Sequence, residues 1–246
     1  MKKFAILAGC TVVGLVVAQG SGALGGHAKA LADAQGLSAT FTYQWIGGSP
    51  ATYKIDLAKP GLAKIDRGNE LIVADGTSIT ILDRKANTYY KVPQTSTDLA
   101  KYFAEDELAL FAPFFNAKAF DKFAKVTSAG TKNRKGIAMN VVEAQVDAKG
   151  LKKATYYIDP ATNLARQVEY MMSDGPEPVR VLVDTKEFVL STETNADRFA
   201  FKAPEGSREL SLEEMSSDKW YTNLDEAKEV AKKTKRLLFV DFYADW

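Results

Sequence analysis

The segment Thr40-Phe41-Thr42-Tyr43-Gln44-Trp45 places an aromatic side chain at every second position and a polar one between them. A period of two is typical of a β-strand that buries one face. The alternation recurs in residues 53–57, and apolar runs at residues 71–73 and 79–82 flank Asp75-Gly76, a dipeptide that favours a tight hairpin turn. Because only a few turn residues separate these strands, the sequence predicts an antiparallel meander rather than β-α-β units.

The hydrophobic period changes after these strands. Over residues 97–115 apolar side chains recur at spacings of three to five, which indicates helix; they are Leu99, Phe103, Leu108, Phe111 and Phe115. Pro113 is expected to kink or split this segment. Strand-like runs resume between residues 136 and 183. We therefore predict a mainly β fold with some α structure, in which a curved antiparallel sheet carries a helical lid.

The apolar residues of the sheet and of the helical segment define a candidate interior. The sheet side comprises Phe41, Tyr43, Trp45, Ile55, Ile79 and Ile81, and the lid side comprises Phe103, Phe111, Phe114 and Phe115. If the helices pack tightly, these side chains form an ordinary core, as aromatic stripes usually do. If the helices pack loosely, the same side chains line a pocket for acyl chains. The sequence pattern fits both alternatives.

Composition argues against several classes of function. The 246 residues carry a net charge of +1, which gives no electrostatic basis for binding nucleic acid. One cysteine, Cys10, and one histidine, His27, leave no internal disulfide and no basis for a histidine metal site or a Ser-His-Asp triad. The sequence has no glycine-rich phosphate loop. We expect no enzymatic activity, cofactor, metal or nucleic-acid partner.

The N-terminus has the pattern of a secretory signal. Lys2 and Lys3 form a basic start, and residues 4–18 are apolar and small. Small-residue cleavage sites follow at Ala18-Gln19-Gly20 and at Ala28-Lys29-Ala30. We expect residues 1–30 to be a signal peptide that directs the protein to the periplasm or cell envelope.

Cys10 offers an alternative. Leu7-Ala8-Gly9-Cys10 matches a bacterial lipobox, in which the cysteine is lipidated and becomes the new N-terminus. The apolar run continues past Cys10 to Val17, whereas a lipobox normally closes such a run. A lipid anchor through Cys10 is therefore the alternative to release into the periplasm.

Several motifs follow one another in a characteristic order. They are Lys59-Pro60-Gly61-Leu62-Ala63-Lys64, Ala74-Asp75-Gly76-Thr77-Ser78-Ile79, Tyr89-Tyr90, Tyr157-Ile158-Asp159-Pro160-Ala161-Thr162-Asn163-Leu164, and a Phe-x-Phe-x-x-Pro-Glu-Gly run at residues 199–206. Together they resemble the outer-membrane lipoprotein carrier (LolA-like) family and related periplasmic proteins, over about residues 31–206. The resemblance implies an incomplete β-barrel with a helical lid. It also implies a hydrophobic cavity for acyl chains, with lipid or lipoprotein as the partner.

Carriers of this type latch the lid with an arginine on an early strand, in a Pro-x-x-x-Arg setting. Pro60 matches, and Lys64 stands at the arginine's position, so Lys64 is the candidate latch. A lysine lacks the planar fork of arginine. The resemblance therefore favours a divergent relative that binds lipid or lipoprotein, or that senses the state of the envelope through a protein partner.

The C-terminal part has a different pattern. Residues 207–218 are polar and acidic and are expected to be a linker. Asn223 is suited to cap a following helix, since a glutamate stands three residues later at Glu226. The helix and the run Phe239-Val240-Asp241-Phe242-Tyr243-Ala244-Asp245-Trp246 resemble the start of an exported thioredoxin-like domain, over about residues 219–246.

In that family Asp241 would be the buried aspartate that assists the cysteine pair, and the first cysteine of Cys-x-x-Cys would follow Trp246. The resemblance thus implies a truncated thioredoxin-like domain in a fragment. The alternative function is a cell-envelope thiol-disulfide oxidoreductase whose cysteine-bearing half is missing from this chain. A plainer possibility is a C-terminal strand that adds to the edge of the first domain's own sheet.

Overall fold

One large β-sheet dominates the fold. The computed structural model describes residues 17–104, 106–146, 150–173, 179–211, 214, 221–234, 238 and 240. Within them lies a sheet of twelve strands. The strands are β1 (Gly36–Trp45), β2 (Ala51–Ala58), β3 (Leu62–Asp66), β4 (Glu70–Asp75), β5 (Ser78–Asp83), β6 (Thr88–Pro93), β7 (Phe123–Arg134), β8 (Ile137–Val146), β9 (Gly150–Asp159), β10 (Leu164–Ser173), β11 (Val179–Ser191) and β12 (Arg208–Glu209).

The sheet is curved and does not close into a barrel. Its strand order is β12-β6-β5-β4-β3-β2-β1-β11-β10-β9-β8-β7, and β1 joins the two meanders by pairing with both β2 and β11. All described neighbours are antiparallel except β12, which pairs parallel to β6. The predicted mainly β fold with a curved antiparallel sheet is confirmed.

An N-terminal helix, α1 (Val17–Asp33), packs on one face of the sheet, here called the inner face. Leu24 and Leu31 lie in the hydrophobic core, and His27 is fully buried beside them. The predicted signal peptide of residues 1–30 therefore overlaps a helix that belongs to the folded domain. Cleavage near Ala18 would keep the described part of this helix almost whole, whereas cleavage near Ala28 would remove most of it.

The lid predicted over residues 97–115 is helical and lies on the inner face. It consists of α2 (Asp98–Tyr102) and a 3-10 helix, Asp106–Phe114. The break falls after Phe103, which caps α2, and not at Pro113, which lies inside the 3-10 helix. Proline is tolerated there because the segment is short and near its end.

The opposite, outer face of β3 to β6 is covered by the chain that follows β11. A second 3-10 helix, Ala196–Phe199, contacts β3 and β4, and Phe201 packs on Tyr89 with ring centroids 5.0 Å apart. Leu210 is buried, and β12 adds to the sheet at β6. Residues 207–210, at the start of the predicted linker, therefore pack against strands of the predicted first domain, whose boundary at residue 206 stays a prediction.

A third helix, α3 (Leu224–Thr234), lies near the C-terminus. The Asn223 side-chain oxygen accepts hydrogen bonds from the backbone N–H groups of Asp225 and Glu226, at 2.9 and 3.2 Å, so the predicted helix cap is present. Cys10, Asp241 and Trp246 lie outside the described residues. The lipidation site and the thioredoxin-like resemblance stay predictions.

Candidate functional site

The predicted interior is assembled on the inner face. Phe41 of β1 contacts Phe111 of the lid, with ring centroids 5.3 Å apart, and Phe111 contacts Phe188 of β11 at 5.4 Å. Within the lid, Phe115 lies 5.4 Å from Phe103 and 4.9 Å from Phe114. Edge-on and tilted ring contacts at these distances are favourable. The aromatic residues of sheet and lid thus form one buried aromatic cluster.

The predicted residues differ in how deeply they lie in this cluster. Five are fully buried: Phe41, Ile55, Phe103, Phe111 and Phe114. Four are partly buried against the core: Tyr43, Ile79, Ile81 and Phe115. Trp45 lies at the end of β1, 43% exposed, with its ring against Tyr43 at 6.0 Å. The structure therefore brings nine of the ten together and places Trp45 at the rim.

Lys64 does not reach the lid. It lies between Ala63 and Ile65, which are both fully buried in the core under the inner face. Because side chains alternate along a strand, Lys64 points to the outer face, where its cross-strand neighbours are Asp56 and Val73. In the described structure α2 and the lid's 3-10 helix lie on the inner face, so Lys64 and the lid are on opposite faces of the sheet.

Arg67, three residues further on, makes the contacts expected of a latch. Its Nη2 lies 3.3 Å from a carboxylate oxygen of Glu107 in the lid. Its guanidinium stacks between two tyrosines, 5.4 Å from the ring centroid of Tyr53 on β2 and 5.5 Å from that of Tyr102 on α2. A weaker contact of 3.7 Å joins it to Glu70. Arg67 thus connects the sheet to both parts of the lid.

The surroundings of Arg67 are partly shielded from water: its side chain is 26% exposed and Tyr102 is 38% exposed. Glu107 is only 8% exposed, and burial raises the pKa of Tyr102 to about 12. Burial, followed by the charge of Glu107, also raises the pKa of Tyr53. In the described structure the Arg67 Nε is buried without a hydrogen-bond partner. Ion pairs in such surroundings depend on each partner being present, because a lone buried charge is costly.

Lys59 makes a second connection between helix and sheet. From the turn after β2, its ammonium donates a hydrogen bond to the carbonyl of Ala32 in α1 and lies 5.0 Å from the ring centroid of Phe114. Burial lowers the pKa of Lys59. The end of α1, the sheet and the lid therefore meet at this residue.

His27 joins three elements inside the core. Its Nε2 donates to the carbonyl oxygen of Leu110 in the lid at 3.1 Å, and its Nδ1 accepts from the backbone N–H of Ala165 on β10 at 3.3 Å. These roles are those of the neutral imidazole with its proton on Nε2. Burial lowers the pKa of His27 to about 4. The sequence shows only a single histidine and did not predict that His27 connects α1, the lid and β10.

An open groove lies beside the aromatic cluster, between α1 and β7. Its volume is about 460 Å³, and its lining is mainly apolar, including Leu24, Ala28, Ala32, Phe120 and Val126. Phe120 also contacts Tyr156 on the inner face, with ring centroids 5.6 Å apart. The groove therefore opens to solvent at the edge of the inner-face core.

No group of three or more histidine, cysteine, aspartate or glutamate side chains in the described residues could hold a metal ion. None of the helices that the structure describes has the length and apolarity needed to cross a membrane.

Comparisons with known proteins give distant similarities. No protein-family model matches the chain. An uncharacterised protein of Methanocaldococcus jannaschii is 27% identical over 174 residues, which cover 71% of this chain and 47% of that protein, so the chain spans about half the length of this curated relative.

Among solved structures, an uncharacterised conserved protein from Thermus thermophilus is 12% identical with a TM-score of 0.49, covering 77% of this chain and 97% of that one. Lipoprotein LppX of Mycobacterium tuberculosis is 12% identical with a TM-score of 0.44, covering 72% of this chain and 97% of that one.

Proposed function

We propose that this chain is a non-enzymatic, exported cell-envelope protein that binds the acyl chains of a lipid or lipoprotein on the inner face of its open sheet. The proposal takes signal cleavage to fall near Ala18, which retains α1, and not near Ala28. The observation that carries the proposal is the apolar groove of about 460 Å³ between α1 and β7. Phe120 in its lining contacts the ring of His27, which in turn contacts Phe188 of the aromatic cluster, with centroid distances of 6.1 and 6.2 Å. Sites for small ligands are typically concave, mainly apolar and of this size. The resemblance to lipoprotein carriers supports the same function.

The aromatic cluster supplies the rest of the binding surface. In the observed state the lid rings fill the space against Phe41 and Phe188, so acyl chains beyond the groove require the lid to move. A chain that replaces these ring contacts keeps the sheet residues out of water, and each methylene it buries contributes about 0.8 kcal/mol. The polar contacts of Arg67 and Lys59 hold the closed state.

The predicted residues form the two sides of the proposed binding surface. Phe41, Tyr43, Ile55, Ile79 and Ile81 form the sheet side of the binding surface, and Trp45 lies at its rim. Phe103, Phe111, Phe114 and Phe115 form the lid side. Arg67 takes the latch role in place of Lys64.

Filling the groove tests this function. Ala28 lines the groove, whereas Ala161 is exposed in the turn between β9 and β10, which makes Ala161→Trp a matched control for Ala28→Trp. Delipidated protein is titrated with a fluorescent fatty acid, and thermal unfolding shows that each variant is folded. We expect Ala28→Trp to weaken binding at least tenfold and Ala161→Trp to change it less than twofold. Equal affinities in both variants, or no saturable binding by the wild type, would overturn the proposal.

A further inference from the structure

A second groove, of about 660 Å³, lies on the outer face of the sheet. The turn between β7 and β8 forms one wall, because it folds across the strands behind it. Arg134 in this turn stacks on Tyr157 of β9 at 4.5 Å from the ring centroid, and Lys135 pairs with Asp184 of β11 at 2.5 Å. Tyr157 belongs to a small hydrophobic cluster separate from the main core. The groove is therefore structurally distinct from the inner-face site.

Cations exceed carboxylates around this groove. Its lining contains Arg134, Lys135, Arg166 and Lys186, and the carboxylate of Asp184, which pairs with Lys135. Beside the lining, Glu169 pairs with Arg134 at 3.0 Å and with Arg180 at 2.8 Å. Arg166 has a long contact of 3.5 Å to Asp159. Lys186 is exposed and has no ion-pair partner in the part of the chain that the structure describes. Cations concentrated in a cleft attract anionic groups.

The wall of the groove also contains a buried polar atom without a partner, and its surface includes apolar side chains. Gln167 is paired across the strands with Tyr157 and Asp184, which places its side chain on the outer face, and its Oε1 is buried without a partner among the described residues. Buried polar atoms of this kind usually have a hydrogen-bond partner. Ile137, 42% exposed, and Met139 add apolar surface.

We propose that this outer-face groove binds an extended acidic segment of a partner protein. A polypeptide supplies both complements of the accessible surface at once: carboxylates for the cations, and side chains for the apolar residues. A volume of about 660 Å³ exceeds what a single small anion fills. The groove is on the opposite face from the proposed acyl site, so partner binding and lipid binding are separable.

Fluorescence anisotropy with a defined peptide tests the proposal. The probe is a labelled 12-residue peptide of alternating glutamate and valine, and its companion has glutamine in place of each glutamate. Lys186→Glu changes the groove, and Lys85→Glu makes the same charge change at an exposed turn outside it. We expect saturable binding of the acidic peptide only, weakened at least tenfold by Lys186→Glu and less than twofold by Lys85→Glu.

Other results would overturn it. The proposal fails if the acidic peptide shows no saturable binding, or if both variants lose the same affinity for it. It also fails if sulfate or anionic vesicles displace the peptide completely, or if the wild type sediments as a dimer that Lys186→Glu dissociates. The last result would assign the groove to a second copy of this chain. Fatty-acid affinity is measured on the same samples, and we expect it to be unchanged by Lys186→Glu, so failure of the peptide proposal is distinguishable from failure of the acyl proposal.

Discussion

Arg67 Nη2 lies 3.3 Å from a carboxylate oxygen of Glu107, and this contact joins the turn after β3 to the lid at a place where the glutamate is almost buried. Two tyrosine rings enclose the guanidinium. The lid is therefore held to the sheet both by apolar packing and by a charged contact shielded from water.

Removing the positive charge of Arg67 should weaken the closed state of the lid. Arg67→Met leaves Glu107 buried without its partner, and we expect a loss of about 2–3 kcal/mol in the free energy of unfolding, measured with urea. The double variant Arg67→Met/Glu107→Gln should recover most of the loss. Arg180→Met is the control, because Arg180 is 54% exposed and its partner Glu169 keeps its pair with Arg134, so the loss should be less than about 1 kcal/mol. Additive losses in the double variant would show that Arg67 and Glu107 are not coupled.

Lys64 provides the converse test. Because Lys64 points to the outer face, Lys64→Ala should leave the free energy of unfolding, measured with urea, within about 0.5 kcal/mol of the wild type and fatty-acid affinity within twofold. If Lys64→Ala instead loosens the lid as much as Arg67→Met does, the assignment of the latch to Arg67 is wrong.

His27 makes stability depend on pH. Its pKa in the folded protein is about 4, below the ordinary 6.5, so the unfolded chain takes up the proton first as the pH falls. The contribution of neutral His27 to the free energy of unfolding is fully present above pH 6.5. It is lost as the pH falls towards 4, by about 3 kcal/mol in total. Urea unfolding between pH 7.5 and 4.5 measures it. His27→Leu should flatten this slope, and an unchanged slope would mean that other groups cause it.

Helix α1 should be required for stability. Leu31 is fully buried, and Leu31→Ala should cost about 2–5 kcal/mol because it leaves a cavity in the core. Lys29→Ala, at a side chain 75% exposed, should cost less than about 0.5 kcal/mol. Thermal unfolding compares the two. Equal stability of both variants would show that α1 does not belong to the folded unit.

The sequence predicted the sheet, the inner-face residues and a helical lid because each has a clear hydrophobic period. Strand β7 was not predicted, because it is an edge strand whose residues are mostly exposed and which shows no alternation of apolar and polar residues. Helix α1 was not predicted as part of the folded domain, because its small apolar residues also suit a signal peptide.

The polar parts of the site depend on tertiary packing. Lys64 was chosen by its spacing from Pro60, but strand alternation points it away from the lid, whereas Arg67 lies in the turn and can reach Glu107. His27 acquires its role only when Leu110 and Ala165, which are distant in sequence, meet it. Phe188 likewise joins the aromatic cluster from the far end of β11, beyond the strand predicted to end at residue 183.

The acyl-binding function is tested most directly by what the native protein carries. The full chain is expressed with its own N-terminus, purified from the periplasm without detergent and extracted with organic solvent, and the extract is quantified by mass spectrometry. We expect acyl lipid at close to one molecule per protein, reduced several-fold in Ala28→Trp but not in Ala161→Trp. Protein free of lipid, which also takes up no fluorescent fatty acid after purification, would contradict the function proposed here.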